Sequence, residues 1–437
     1  MLKTLRNAFK IEDIRRRIIF TLLMLVVIRI GSQLPAPCVN ADYVKQFFAA
    51  NSGELFNFFD AFTGGSFTAM SVFALSITPY ITASIIMQLL TIAIPTLEEW
   101  HKDEDGRKKI VAITRYLNVG LSLLESGAMA IGFGRQGLLT EYNFVNVAIV
   151  ILTLTAGSAF LMWIGERITE KGVGNGISIV LIINIISRIP DDFVTLYDSF
   201  VKPKFTSGAI AGGVLVALII LAVVVVTIVL VVVLSAGERQ IPVQYSRRIV
   251  GNRQVGGQSS HIPLKVNTAG VIPIIFAQSI LQLPIMIASF AGKGSDSLVL
   301  KMCNSNNWLN PDNMLYSVGL IVYIALVIFF AYFYTAITFN PSEIANNMKK
   351  GGGSIPGIRP GKPTSDYLSK ILNYIIFIGA IGLVIVQIIP YFFNGVFGAN
   401  VSFGGTSIII VVGVVLETIK QIESQMLVRN YRGFLNN

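Results

Sequence analysis

The sequence predicts an all-α polytopic membrane protein of ten transmembrane helices in two inverted halves of five. Hydrophobic residues make up 53% of the 437 residues and charged residues only 13%, whereas a soluble domain is about a quarter charged. Several uncharged runs reach the roughly 20 apolar residues that cross a bilayer. Lys and Arg are concentrated in alternate connections between these runs. A soluble enzyme and a disordered chain are both excluded.

The first half contains five predicted spans. The 37 uncharged residues between Asp60 and Glu98 would form a helix of about 55 Å, too long for a hydrocarbon core of about 30 Å. The run is therefore divided into a short segment at about 55–69 and a span from about Met70 to Ile94. By residue number, the spans of this half are 18–34, 70–94, 116–134, 142–165 and 172–187.

The second half contains five more spans. Three lie in the uncharged runs 205–237, 266–292 and 313–342, and the 46 residues between Lys370 and Glu417 must hold two. Pro390 and the glycines up to Gly405 are interpreted as the turn between those two spans.

Charge placement fixes a predicted orientation. The even-numbered connections and both termini hold 26 Lys and Arg, and the other side holds seven. By the positive-inside rule, both termini are cytoplasmic and the chain is a multi-pass membrane protein. The net charge of +10 therefore reports topology rather than nucleic-acid binding.

An odd number of spans in each half places the halves, residues 1–200 and 201–437, in opposite orientations. In folds of this kind, Gly- or Pro-interrupted segments at matching positions indicate the working site. Span 2 follows Gly64 and Gly65, and span 7 contains Pro273 and Pro284. Both are the second span of their half.

Two long basic connections, at about 235–267 and 340–370, lie on the predicted cytoplasmic side. Two interpretations are open: the charges retain the loops or bind anionic lipid, or the loops dock a cytoplasmic partner. The second is preferred because retention alone does not require loops this long.

No motif for covalent chemistry, a cofactor or a metal is found, so the chain is not expected to be an enzyme. There is no phosphate-binding loop, and the two histidines, His101 and His261, lie in separate loops. Glu125 is the one acid inside a span, and it leaves open a gradient-coupled secondary transporter with inverted repeats. Whether Cys38 and Cys303 pair is also open.

Seven segments, in this order, resemble one family. They are FALSITPYITASIIMQLL at 73–90, GNGIS at 174–178, HIPLKVN at 261–267, AGVIP at 269–273, FNP at 339–341, PGIRPG at 356–361 and FGGTS at 403–407. The chain resembles the SecY family, the channel-forming subunits of the Sec protein translocase, over nearly its whole length. The resemblance implies an hourglass channel with a plug helix in the bacterial plasma (inner) membrane. This channel would translocate unfolded secretory polypeptides across that membrane and release transmembrane segments laterally into the lipid bilayer.

The resemblance also implies roles for particular residues. The pore ring would be Ile77, Ile81, Ile177, Leu181, Ile275 and Ile410, because a ring of branched aliphatic side chains excludes water and ions. The plug would include Leu55, Phe58, Phe59, Phe62, Gly64, Gly65 and Phe67. The lateral gate between spans 2 and 7, where a signal sequence enters, would include Pro79, Gln88, Pro273, Gln278 and Gln282.

Partners are implied as well. The basic loops would dock the SecA ATPase, which drives translocation, or the translating ribosome, through Arg247, Arg248, Arg253, Lys349, Lys350 and Arg359. Small membrane subunits of the SecE and SecG types would complete the channel, and its substrate would be a signal-sequence-bearing polypeptide.

Overall fold

The computed structural model describes the chain except for residues 1–5, 7, 41–42, 45, 47–59, 61–62, 203–209, 246–247, 251–252, 256–258, 291–296, 305–306, 310–313, 398–404 and 436–437. The helices are α1 (Glu12–Gln33), α2 (Thr78–Ala93), α3 (Pro95–Lys102), α4 (Glu104–Arg135), α5 (Phe144–Lys171), α6 (Gly176–Leu196), α7 (Ile210–Ala236), α8 (Ile272–Phe290), α9 (Leu298–Cys303), α10 (Val318–Thr338), α11 (Pro341–Lys350), α12 (Lys362–Phe397) and α13 (Gly405–Leu435). The strands are β1 (Glu238–Tyr245), β2 (Arg248–Val250), β3 (Arg253–Val255), β4 (Ser259–Lys265) and β5 (Gly353–Ser354).

Ten of these helices overlap the ten predicted spans: α1, α2, α4, α5, α6, α7, α8, α10, α12 and α13. Among the described residues, six helices are long and apolar enough to cross a membrane, and the bent pair α2 and α3 makes up to seven. The helical membrane fold is therefore confirmed, and the count of ten spans stays a prediction.

The chain divides into two compact units. The first contains the described residues of 1–199 and 414–437, and the second those of 200–399 and 404–413. In the first unit, α5 packs against α1, α4 and α6, and α2 packs against α4. In the second unit, α10 packs between α8 and α12, and α12 also contacts α7. Helix α13 contributes its beginning to the second unit and its remainder to the first.

The expected start of span 2 near Met70 is wrong, because residues 64–77 form turns and a single bridge, and α2 begins at Thr78. Met70 and Ser76 have φ values of 45° and 53°, which a right-handed helix does not allow. Pro79 lies in the first turn of α2, where its missing N–H leaves no hydrogen bond unmade.

Two further boundaries differ from the prediction. Helix α6 does not end before Arg188 but continues through Pro190 to Leu196, so Arg188 lies within a helix. Pro390 does not mark a turn, because α12 runs through it to Phe397. Cys38 and Cys303 are both free thiols, and burial raises the pKa of the Cys303 thiol.

The long connections contain strands, although only helices were expected. Strand β1 lies between β4 and β5 in an antiparallel sheet, with Ile241 opposite Ile262 and Gln244 opposite Ser354. Ile241 and Val243 alternate with exposed residues and pack on α11 and α12, the period-2 pattern of a half-buried strand. The two basic loops therefore form one structure.

Candidate functional site

The beginning of α6 is fixed by local geometry. The Asn175 side chain caps the helix by accepting a hydrogen bond from the Ile177 N–H at 3.1 Å. A Cβ on Gly176 would lie 1.9 Å from the carbonyl oxygen of Gly165 on α5. Only glycine allows α6 to start this close to α5. The start of α6 therefore places Ile177 and, one turn later, Leu181 on the same helix face.

The first unit brings four of the six predicted ring residues into one apolar cluster. Ile77 is the N-cap residue of α2 and is fully buried, and Ile81 follows one turn later. Ile81, Ile177 and Leu181 are half-buried and pack against the cluster that contains Ile77. The cluster contains branched aliphatic side chains from the first turns of two helices.

The other two predicted ring residues belong to the second unit. Ile275 lies in the first turn of α8 and is half-buried, and Ile410 lies in the second turn of α13 and is 3% exposed. Each of the six therefore occupies the beginning of its helix. Their assignment to a pore ring stays a prediction.

The structure describes only three of the seven predicted plug residues. Leu55, Phe58, Phe59 and Phe62 lie outside the described residues. Gly64 and Gly65 have φ values of 66° and 86°, which favour glycine. Phe67 is buried and its ring meets that of Phe133 edge-on at 6.0 Å.

Next to this segment lies a polar cluster that the sequence did not predict, formed by Arg29, Asp60, Asn184, Ser187 and Arg188. Arg188 of α6 forms a salt bridge with Asp60, whose side chain is 0% exposed. The Arg29 Nη1 donates to the Gly64 carbonyl oxygen at 3.2 Å. Charge counting had placed Arg188 in a loop, and no local pattern connects it to Asp60. Its position four residues after Asn184, on the same helix face, was the available signal.

The predicted gate residues lie at matching places in α2 and α8. Pro79 and Pro273 are buried second residues of their helices. Gln88 is exposed on α2. Gln278 is half-buried on α8, and its Oε1 has no hydrogen-bond partner among the described residues. The Gln282 side chain lies outside the described part. The gate role of these residues stays a prediction.

The predicted docking residues fall around the three-stranded sheet or on the β2–β3 hairpin. Arg359 is exposed in the turn after β5. The turn is fixed by a bond from the Thr364 hydroxyl to the Arg359 carbonyl oxygen at 2.9 Å. Lys349 and Lys350 are exposed at the end of α11.

The remaining docking residues are described less fully. Arg248 and Arg253 lie on β2 and β3 with their side chains undescribed, and Arg247 lies outside the described residues.

Comparison with known proteins agrees with the resemblance in the sequence. The family model SecY matches residues 71–419. A protein translocase subunit SecY of Bacillus subtilis is 44% identical over 100% of both chains. The chain belongs to the SecY family. A SecY subunit of Streptomyces galbus is 43% identical, again over 100% of both chains.

Solved structures agree on the fold of this SecY family member. A protein-conducting channel matches with a TM-score of 0.65 at 18% identity, over 94% of this chain and 93% of its own. The Sec61 channel of a canine ribosome-channel complex matches with a TM-score of 0.62 at 17% identity, over 94% and 93%. The chain therefore has the fold of a protein-conducting channel, its function is protein translocation across the membrane, and a gradient-coupled transporter is not favoured.

Proposed function

We propose that this chain forms the pore through which unfolded secretory polypeptides cross the plasma membrane, and from which hydrophobic segments pass sideways into lipid. The observation that carries the proposal is the 44% identity to a translocase subunit over the whole length of both chains. The pore ring, plug, lateral gate and partners are the finer parts of this proposal.

The apolar cluster around Ile77 supports the ring. Its half-buried members Ile81, Ile177 and Leu181 are branched aliphatic side chains, which resist water and ions when no substrate is present. Such contacts are non-directional, so they re-form around any passing side chain. Ile275 and Ile410 are the second unit's contribution to the ring in this proposal.

The proposal assigns the segment before Ala69 to the plug and α2 and α8 to the lateral gate. The buried prolines at the beginning of both helices and the polar side chains of Gln88 and Gln278 support the gate. Interhelical hydrogen bonds of such side chains contribute only about 0.6–2 kcal/mol each, so a helix contact that depends on them is weak enough to open for a signal sequence.

The sheet of β1, β4 and β5 is proposed as the docking surface for the SecA ATPase and the translating ribosome. Arg359, Lys349 and Lys350 are exposed beside it. A solved relative of the same fold is a channel in a canine ribosome complex, and ribosomal RNA is a phosphate surface that basic side chains contact. SecE- and SecG-type subunits are the proposed membrane partners, and both termini are cytoplasmic.

The chain catalyses no covalent reaction in this proposal, and the partner supplies the energy. The test is a reconstitution of the chain with its SecE-type subunit in liposomes, supplied with SecA, ATP and a secretory precursor. We expect the precursor to become protected from protease while the vesicles stay intact. A precursor that remains accessible with active SecA would contradict the proposal.

The ring has its own test in planar bilayers. Ile81→Gly and Ile275→Gly are each expected to raise the resting ion conductance, because each removes a side chain from the constriction. Leu124→Gly, at a residue that is 72% exposed on α4, is the control. A conductance equal to that of the unchanged chain would remove these residues from the ring.

A further inference from the structure

One face of α6 changes character along its length. Ile177 and Leu181 are followed on the same face by Asn184 and Arg188, since residues three or four apart are neighbours on a helix. The first pair packs in the apolar cluster. The second pair makes polar contacts with residues that precede α2.

Asp60 is the most constrained of those residues. Its Oδ2 pairs with the Arg188 guanidinium. Its Oδ1 accepts from the Thr68 N–H at 3.1 Å and the Thr68 hydroxyl at 2.9 Å. The Asp60 carboxylate therefore binds the backbone and side chain of Thr68 and is itself held by Arg188 of α6.

Two other polar groups of the segment are held, the Ser76 hydroxyl by α6 and the Gly64 carbonyl oxygen by Arg29 of α1. Asn184 Nδ2 donates to the Ser76 hydroxyl at 3.0 Å. The Ser187 hydroxyl lies 3.4 Å from the Gly64 carbonyl oxygen, which Arg29 of α1 also contacts. A Cβ on Gly64 would lie 2.7 Å from the Asn184 carbonyl oxygen. The contact between Gly64 and α6 is thus close, and polar groups surround it.

A buried ion pair is poor evidence of stability, because an apolar pair of the same shape is often as stable. Its distinctive property is that the two charges pair in one arrangement only, and that separation leaves a charge unpaired at a site where the Asp60 side chain is 0% exposed. Ionisable groups within a membrane helix are correspondingly rare and functional. The polar cluster therefore has the property needed to distinguish two positions of the segment that it holds.

We propose that Arg188 and Asn184 of α6, with Arg29 of α1, are positioning residues that hold Asp60 and residues 63–76 in place and thereby keep the resting pore closed. The pore-closing role rests on the proposed channel function, since the segment joins the proposed plug to the ring residue Ile77. Opening then requires the salt bridge between Asp60 and Arg188 to break.

The test uses the full chain with its small membrane partner in lipid vesicles, and two readouts: amide hydrogen exchange of residues 63–76, and the resting ion leak. Asp60→Asn and Arg188→Gln are each expected to accelerate exchange about tenfold or more and to raise the leak. The charge exchange Asp60→Arg with Arg188→Asp should restore part of both. Arg167→Gln, which removes an exposed pair with Glu170, is the matched control and should change neither.

Unchanged exchange in both single variants would overturn the proposal. If either variant fails to assemble, Asn184→Ala removes the donor to the Ser76 hydroxyl at 3.0 Å and leaves no buried charge. Faster exchange of the same segment supports the proposal, and unchanged exchange contradicts it. Faster exchange with an unchanged leak in a chain that still translocates precursor refutes the pore-closing role alone. Absence of translocation by the unchanged chain refutes the channel function instead.

Discussion

The first two turns of α6 and the two turns that follow differ in the kind of contact they make. Ile177 and Leu181 pack in an apolar cluster with Ile77 and Ile81. Asn184 and Arg188, on the same face, bind Ser76 and Asp60 through a hydrogen bond and a salt bridge. The apolar contacts depend on area alone, whereas the polar contacts depend on direction and on a charged partner.

If Ile177 and Leu181 belong to the proposed pore ring, the difference lets one helix serve two requirements of a channel. A constriction must accept any side chain, so it is built from contacts that have no required partner. A closed state must be a single arrangement, so it is held by contacts that only one partner satisfies. Three substitutions test this division between apolar and polar contacts of α6, and a fourth tests the docking surface. They follow from the largest expected change in unfolding free energy to the smallest.

Asp60→Leu is the most severe test of the polar contacts of α6. It leaves the Arg188 charge without a partner in a site where the Asp60 side chain was 0% exposed. We expect a loss of roughly 3–5 kcal/mol in unfolding free energy, measured by denaturant unfolding in detergent. Glu170→Gln, which breaks an exposed pair, should cost less than about 1 kcal/mol. Equal losses in the two variants would show that the buried pair has no special role.

Gly176→Ala tests how the start of α6 places the apolar residues Ile177 and Leu181. The added Cβ would lie 1.9 Å from the Gly165 carbonyl oxygen, so α6 must shift away from α5. Overpacking of this kind costs about 1–3 kcal/mol. Gly120→Ala on α4 is the control, because its Cβ meets nothing within 4 Å and alanine favours a helix by about 0.5–1 kcal/mol. A destabilised Gly120→Ala or a neutral Gly176→Ala would contradict the conclusion that α6 must start at a glycine to pack this close to α5.

Leu181→Ile tests whether the apolar contacts of α6 tolerate a change of side-chain shape. The substitution keeps volume and hydrophobicity, so the unfolding free energy should fall by less than about 1.5 kcal/mol, and precursor translocation should continue. A loss as large as that of Asp60→Leu would show that the apolar contacts are as specific as the polar ones.

Arg359→Ala is expected to have the smallest effect on folding and a selective effect on docking. Arg359 is exposed, so the unfolding free energy should change by no more than about 0.5 kcal/mol. Binding to SecA or ribosomes, measured by co-sedimentation, should weaken most at low salt, where charge contacts are strongest. Unchanged binding at low salt would remove Arg359 from the docking surface.

The helices were predictable because a bilayer imposes a length and an absence of charge on each span. One failure of the prediction arises where a distant partner offsets a local rule. Arg188 suggested the end of a span, but its guanidinium pairs with Asp60, 128 residues away, and α6 continues through it. Pro390 suggested a turn, yet α12 continues through it.

The candidate site was predictable only in its apolar part. The ring residues lie in, or within three residues of, short motifs that resemble a known family, whereas the polar cluster depends on contacts between segments far apart in sequence. The strands were visible in principle, since Ile241 and Val243 alternate with polar residues. Strand β1 also pairs with β5, which lies about 100 residues later in the chain. A local sequence pattern cannot predict a pairing between segments so far apart.

The most direct test of the division in α6 is amide hydrogen exchange of residues 63–76 in the unchanged chain, at rest and with a precursor stalled in transit. We expect exchange of this segment to accelerate about tenfold or more when the precursor is engaged, while α5 exchanges at the same rate in both states. An exchange rate of residues 63–76 that is identical at rest and in transit would contradict the account.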